Sequence, residues 1–301
     1  VRKTIHYRRV EWFNQQPNDD VVVFLTEALA GRPHVDATRF PIAGETCEVR
    51  HRDNRDGKLC IHLSTYVNGS RKGVTPQVLG LENADLDDAP APDGAEFTER
   101  EIVIVLTQDA VAFVTQGHVH PKFVERAIRG LLLLEHGAEV SNRFSLAARA
   151  DPAVVQRLLD EGVQLLDMGL SLNQAEADQI IEGQPESITE SIGRTIKDAL
   201  SARFHAELSD DDIDSLASAN AHLVLNFKKS APLNQIESLT TLAESVIEGD
   251  EQFKIKTVRG NYFTRDQLLL KNTYTQPGGA AYLSFVLAWD NAIQFLNDVD
   301  E

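Results

Sequence analysis

Apolar and polar residues alternate with a period of two through much of the first half of the chain. Spacings of three and four mark the stretches between. Residues 4–13 alternate through Ile5, Tyr7, Val10 and Trp12 and predict a first strand. Asp19 and Asp20 predict the cap of a short helix over 21–30, stopped at Gly31 ahead of Pro33. Residues 47–52 and 58–67 predict the clearest hairpin, closed at Asp56–Gly57, because glycine supplies the positive φ of a tight turn. Leu59, Ile61, Leu63, Thr65 and Val67 share one face of its second strand. Residues 100–106 are apolar on both faces, the pattern of a central strand, and 111–115 return as a hairpin partner after Asp109 and Ala110. Pro121 opens a predicted helix to about residue 135, with Gly137 behind it as a stop. Its apolar positions Phe123, Ala127, Ile128, Leu131, Leu132 and Leu134 form a stripe wide enough to cover a sheet.

Farther along, residues 144–150 predict a strand, and Asp151 with Pro152 opens a helix through residue 159. Gly162 ends it, and 164–172 return as a strand. A similar order recurs as strand 221–227, helix 233–247, strand 252–258, strand 266–274 and a final helix over 280–296. Between the two passes, 174–221 reads as helical: Ser187, Ile188, Ser191, Ile192, Thr195, Ile196, Ala199 and Leu200 recur at helical spacing. The acids Asp210, Asp211 and Asp212 suit a helix N-terminus better than a metal site, since consecutive helical side chains diverge. The expected fold is α+β. An antiparallel sheet with a covering helix fills residues 1–140, and a second α+β domain of split β-α-β type fills 141–301, carrying the helical insertion 174–221.

A chain of 301 residues with 42% apolar content is of a size for one large or two medium globular domains. No run approaches the roughly 18 apolar residues of a membrane span. The basic first residues lack an apolar block behind them, so a cytoplasmic protein is expected. Cys47 and Cys60 flank the hairpin and are expected as reduced, buried thiols. The net charge is −17, yet residues 1–80 hold 12 basic and 9 acidic side chains. Acidity begins around Glu82–Glu99; the stretch 68–99 is rich in glycine and proline, carries seven acids and no base after residue 80, and is expected as an exposed excursion or a partner-contacting loop.

Phosphate-loop, dinucleotide, nucleophile-elbow, metalloprotease and paired-cysteine motifs are all missing from the sequence. His118 and His120, spaced i,i+2 before a helix, would need an acid such as Asp109 to hold a metal and are expected as a surface turn. His51 and His62 face each other across the first hairpin among Arg50, Arg52, Arg55 and Lys58, which reads as a basic ribbon rather than an acid–base pair. No catalytic residue, cofactor or metal is therefore assigned. The candidate nucleic-acid surface is Arg8, Arg9, Arg50, Arg52, Arg55, Lys58, Arg71 and Lys72, extended by Arg2 and Lys3, with Tyr7, Trp12 and Tyr66 available for stacking. A second basic patch comprises Lys228, Lys229, Lys254, Lys256 and Arg259.

The segments ALAGRPHV, CEVRHRDNRDGKLCIHLSTYV, REIVIVLTQDAVAFVTQG and FSLAARADPAVVQRLL follow one another in an order that resembles the RexA-like phage exclusion proteins, over roughly residues 4–172. The resemblance implies a cytoplasmic, prophage-borne phage-defence protein of abortive-infection type. It would bind DNA without strong sequence preference, self-associate, and act with a membrane-protein partner. It carries no catalytic motif onto this chain. The strong net acidity and the segment 174–221 depart from the family pattern. The expected function is thus a non-catalytic, sequence-nonspecific nucleic-acid-binding protein. The alternatives are a protein–protein adaptor or homo-oligomer using acidic helices, and a metal-dependent nuclease using Asp53, Asp56 and Asp109.

Overall fold

The computed structural model describes residues 1–13, 15–74, 87–117, 119–171, 220–226, 253–278 and 282–300. All but the last two residues of the expected helical segment 174–221, the helix 233–247, the centre of the acidic excursion, His118, Lys228 and Lys229 lie outside the described residues. The fold is α+β: an eight-stranded antiparallel sheet with flanking helices, and a smaller antiparallel sheet with helices.

The larger sheet is built from β1 (Arg2–Trp12), β2 (Phe40–Ile42), β3 (Glu45–Arg55), β4 (Lys58–Tyr66), β7 (Thr98–Leu106), β8 (Ala110–Gln116), β9 (Phe144–Ala148) and β14 (Lys271–Thr275). Its order is β14-β1-β8-β7-β4-β3-β2, with β9 also pairing β1. The turn between β3 and β4 is the expected one: Asp56 and Gly57 both take positive φ, 51° and 72°, which matches the twist of a two-residue hairpin. The central position of β7 explains its two apolar faces. Ile102, Ile104 and Leu106 enter one core, while Val103 and Val105 are buried on the other side.

Helices cover both faces. On one lie α1 (Val21–Ala30) and α2 (Pro121–Ser141), whose Leu25, Leu29, Val124, Ile128, Leu131 and Leu132 pack over Leu59, Ile61, Leu63 and the apolar row of β7. Asp20 caps α1 by accepting from Val22 N at 2.8 Å and Val23 N at 3.2 Å. Gly137 interrupts α2 at φ 69°, so the expected stop is a kink between two helical pieces. The opposite face is covered by the C-terminal helix (Phe285–Asp300), which packs on β4, β7 and β8 through Trp289, Phe295 and Leu296. Strands β5 (Arg71–Val74) and β6 (Asp87–Pro90) form a separate two-stranded ribbon.

The smaller unit contains α3 (Pro152–Glu161), β10 (Val163–Ser171), β11 (Asn220–Asn226), β12 (Phe253–Thr257), β13 (Tyr262–Thr264) and α4 (Arg265–Leu268). Its sheet runs β11-β10-β12-β13, antiparallel throughout. Asp151 and Pro152 open α3 as expected, and Gly162 ends it at φ 68°. Leu158, Val163, Leu166, Phe253, Ile255, Phe263 and Leu268 form its core.

The chain divides differently from the expected boundary at residue 140. One unit is Val1–Ala147 with Lys271–Glu301, and the other is Ala148–Leu270. The correction has a plain cause. β14 pairs with β1 from Arg2↔Thr275 to His6↔Lys271, and α5, as the C-terminal helix is called below, supplies the larger sheet's second cover. β9 likewise pairs β1 and not β10. Part of the expected strand 266–274 is instead the helical turn α4. The thiols of Cys47 and Cys60 are free and buried, and burial raises both, Cys60 to about 11.

Two outcomes follow from this packing. A Cβ added at Gly130 in α2 would sit 2.3 Å from the Phe40 ring. Gly→Ala in a helix normally stabilises by about 1 kcal/mol, but Gly130→Ala should destabilise by about 1–3 kcal/mol through overpacking. Urea unfolding would show the loss, with partial recovery on adding Phe40→Leu. Second, residues 1–147 expressed alone should be unfolded, whereas 1–147 joined to 271–301 by a flexible linker should give a cooperative melt.

Candidate functional site

The site begins with an irregularity in β3. Its pairing with β4 runs Thr46↔Tyr66 to Val49↔Leu63, then resumes at His51↔His62, leaving Arg50 without a partner in the register. One extra residue forms a β-bulge, which shifts the alternation of side chains beyond it. Glu48 before the bulge and His51 after it therefore lie on the same face, the one covered by α5. Arg52 points back toward α1, where it donates to the carbonyl of Leu29.

On the α5 face the registers set up two adjacent rows, Glu48–Ser64–Glu101 and His51–His62–Val103. His51 Nδ1 and His62 Nδ1 are 3.0 Å apart, and the rings stand at 3° to one another. The first ring of α5, Phe285, stacks on His51 at 3.9 Å between centroids, and Trp289 one turn later meets Phe285 edge-on at 4.9 Å. Glu101 is 7% exposed; its Oε2 accepts from Leu283 N at 2.9 Å and its Oε1 lies 3.4 Å from His62 Nε2. That last contact is long, but buried His62 Nε2 has no other partner among the described residues.

These contacts fix the protons. A hydrogen bond between two Nδ1 atoms needs one proton, and a bare nitrogen against a carboxylate would be repelled. The arrangement that satisfies both contacts puts the His62 proton on Nε2, toward Glu101, with Nδ1 accepting from His51. The basic nitrogen of His51 is then Nε2. Burial, and after it the electrostatic influence of the neighbouring His62 and Arg50, pulls the His51 ring below the ordinary histidine value. Glu48, 3% exposed, accepts from Arg39 at 2.9 Å and Arg50 at 2.7 Å. Burial, then the Glu48 charge, raises the Tyr66 phenol.

Two cavities open beside this array. One of about 420 Å³ is lined by Arg32, His34, Arg50, His51, Arg52 and Arg55, with Asp53, Phe285 and Trp289. The other, of about 690 Å³, is lined by Arg39, Glu48, His62, Tyr66, Glu96 and Glu101. Arg50, His51 and Phe285 form part of both walls. Four guanidinium groups line the smaller cavity, and three of them are already paired: Arg32 with Glu135 at 2.7 Å, Arg50 with Glu48, and Arg55 with Asp53 and Asp290. In the larger, three carboxylates offset two guanidinium groups.

The expected cationic surface is largely dispersed. Arg8 is 4% exposed, with Nη1 donating to the Tyr7 carbonyl and its guanidinium 5.9 Å from the Phe113 ring, because it sits on a covered face of β1. Arg9 pairs with Glu11. Arg71 pairs with Asp88 at 2.8 Å and Lys72 with Glu99 at 3.1 Å, away on the β5–β6 ribbon. Arg55 binds Asp53 at 2.8 Å and Asp290 at 3.0 Å, and Lys58 donates to Asn297. Arg2 donates to Thr273 and Lys3 to Gln116. Tyr7 and Tyr66 are buried, so neither offers a stacking face, and Trp12 packs against Phe24 and Phe144. Arg50, Arg52 and Arg55 do converge on one pocket, and among the described residues no carboxylate pairs with Arg52. Arg32, Arg39 and His34 were not expected; they come from the loop after α1, which no periodicity marks.

Lys254 and Lys256 share a face of β12, with Lys256 5.4 Å from the Tyr262 ring, and Arg259 is exposed in the following turn. His120 is the N-cap of α2, its Nδ1 accepting from Lys122 N at 3.3 Å. Asp109 lends its carbonyl to Val10 N, and Asp56 occupies the hairpin turn, so with Asp53 on Arg55 the three acids do not converge. Among the described residues no three His, Cys, Asp or Glu side chains are grouped to hold a metal. No helix of the described residues is long and apolar enough to cross a membrane. No family model and no curated protein matches the chain.

The depressed His51 value has a measurable consequence. Between that value and the ordinary value near 6.5, the unfolded chain binds more protons than the folded one, so stability is lost as pH falls through this window. His51→Gln should flatten that loss. Urea midpoints at pH 7.5 and 5.5 should separate less in the variant than in the wild type.

Proposed function

We propose that this protein binds nucleic acid without sequence preference, through the pocket bounded by β3, the loop after α1, and α5. The observation that supports the reading is the convergence of Arg32, Arg50, Arg52 and Arg55 around one opening walled by His51, Phe285 and Trp289. Guanidinium groups suit phosphate oxygens, and aromatic rings give bases a sequence-tolerant stacking surface. The contact is short, spanning a few phosphates, because Arg8 is buried and Arg9, Arg71 and Lys72 lie on carboxylates away from the pocket. A role in phage exclusion or abortive infection, with self-association and a membrane-protein partner, accompanies this reading through the RexA-like resemblance.

The net charge of −17 repels polyanions at long range, so binding should be a low-salt property. With two or three phosphates neutralised, affinity for single strands should fall about tenfold between 50 and 200 mM salt. A second reading, an adaptor that binds other proteins, is favoured by one specific fact: Arg9, Arg50, Arg55, Arg71 and Lys72 each already face a carboxylate.

A salt series of gel shifts with single-stranded RNA and DNA separates the two. Arg52→Glu should abolish the shift at 50 mM salt while the variant still melts cooperatively, with a melting temperature lowered by loss of the bond to the Leu29 carbonyl, and Arg71→Glu should leave the shift intact. Retention of binding by Arg52→Glu, or no shift by the wild type, would leave the adaptor reading in its place.

A further inference from the structure

We propose that the same pocket is a metal-independent acid–base site for RNA phosphodiesters, with His51 as general base and His34 as general acid. The inference rests on the nucleic-acid reading above and adds a reaction to it. Among the described histidines, His34 and His51 line the 420 Å³ pocket, and they do so beside Arg50 and Arg52. Two imidazoles beside a cationic phosphate site are the groups that cleavage of RNA by its own 2′-hydroxyl requires, one to remove a proton and one to supply it.

The step balances without metal, oxidant or water. His51 Nε2 takes the proton of the 2′-hydroxyl. The O2′–phosphorus bond forms as the phosphorus–O5′ bond breaks, and the imidazolium of His34 gives its proton to O5′. The products are a 2′,3′-cyclic phosphate and a 5′-hydroxyl end. Arg52, whose guanidinium keeps donors beyond the one used on Leu29, stabilises charge on the non-bridging oxygens.

The relay behind His51 separates it from an ordinary surface histidine. As its Nε2 gains a proton, its Nδ1–H continues to donate to His62, and His62 donates through Nε2–H toward buried Glu101. A carboxylate at the end of such a chain fixes the tautomer and stabilises the imidazolium that forms. His62 and Glu101 are positioning residues, since neither faces the 420 Å³ pocket. The charged and titratable groups lining the two cavities with His51 are Glu48, Arg50, Arg52, Asp53 and Arg55 from β3, His62 and Tyr66 from β4, Glu101 from β7, Arg32, His34 and Arg39 from the loop after α1, Glu96 ahead of β7, and Tyr282 ahead of α5. The depressed His51 value keeps the base form present at neutral pH.

The test uses the whole chain, a 5′-labelled single-stranded RNA, and EDTA throughout. Wild-type protein should produce fragments ending in cyclic phosphate, with a bell-shaped pH–rate profile. DNA and 2′-O-methyl RNA of the same sequence should be bound and left uncut. His51→Ala should lower the rate by about a hundredfold or more, while weakening the gel shift far less than Arg52→Glu does. His34→Ala should lower it similarly. Glu101→Gln, nearly isosteric, should lower it about tenfold and displace the acid limb of the profile, which a purely structural role would not do. RNA bound but uncut by the wild type overturns this proposal and leaves the binding reading standing. Cleavage that survives in His51→Ala, or appears only with added magnesium, also overturns it. Failure to bind RNA at all overturns the binding reading first.

Discussion

One extra residue in a strand decides which side chains meet on each face of the larger sheet. Without the bulge at Arg50, strict alternation beyond Val49 would send His51 to the α1 face and Arg52 to the α5 face. His62 would then have no imidazole opposite it, and Phe285 would stack on a guanidinium or on nothing. With the bulge, one side of the hairpin carries a proton-sharing pair and the other sends Arg52 to the carbonyl end of α1. Arg50, which the bulge leaves out of register, borders both cavities. A bulge raises local twist and re-aims side chains, which is why such irregularities recur beside functional sites.

The second constraint is the placement of buried carboxylates. Glu48 and Glu101 lie at the two ends of one row across three strands, with Ser64 between them, and both are under 10% exposed. A carboxylate there is costly unless it is paired and hydrogen-bonded, and removing one partner would leave an uncompensated charge. Glu48 is satisfied by two arginines, which in turn are drawn to the rim of the cavity. Glu101 is satisfied by the Leu283 amide and approached by His62. The carboxylates thus determine where cations stand on this face, and they account for why a positive sequence segment does not become a positive surface. A ribbon of arginines on paper is, in the folded chain, mostly a set of ion pairs with neighbours one strand or two residues away. Such exposed pairs add little to stability, but they cancel potential, and the guanidinium of Arg52 stands out because no carboxylate among the described residues meets it.

Much of the scaffold was legible because local rules sufficed. The Asp20 and Asp151 caps, the Asp56–Gly57 turn, the Gly162 stop and the doubly apolar β7 each follow from a few adjacent residues. What escaped the sequence was everything that depends on distant pairing. Nothing in 271–275 says that this strand belongs beside residues 2–6, so the division of the chain was misplaced and α5 was assigned to the wrong unit. Periodicity also hides a bulge, since the residues of β3 beyond Val49 are polar on both sides and leave no hydrophobic beat to break. His51 and His62 were visible as cross-strand neighbours, but Glu101, 39 residues beyond His62, and Phe285 were not. An imidazole pair reads as two more positive charges until the carboxylate behind it is known.

That dependence on distant pairing carries a consequence for how the site is assembled. Its groups come from the loop after α1, from β3, β4 and β7, and from the first turn of α5, so the site is complete only when the C-terminal segment has closed over the sheet. The smaller unit is spliced into the chain between β9 and β14, both of which pair with β1. Its folding therefore lies between the synthesis of the sheet and the arrival of the strand and helix that finish it. Before that arrival the α5 face exposes Val103, Val105, Cys60 and the imidazole pair, and β1 lacks one neighbour. An open apolar face and an unpaired strand are what make a partly folded chain prone to aggregate. Closure by α5 removes both hazards and, in the same step, lays Phe285 on His51 and brings the Leu283 amide to Glu101. Stability of the larger unit and assembly of the site are in this way a single event.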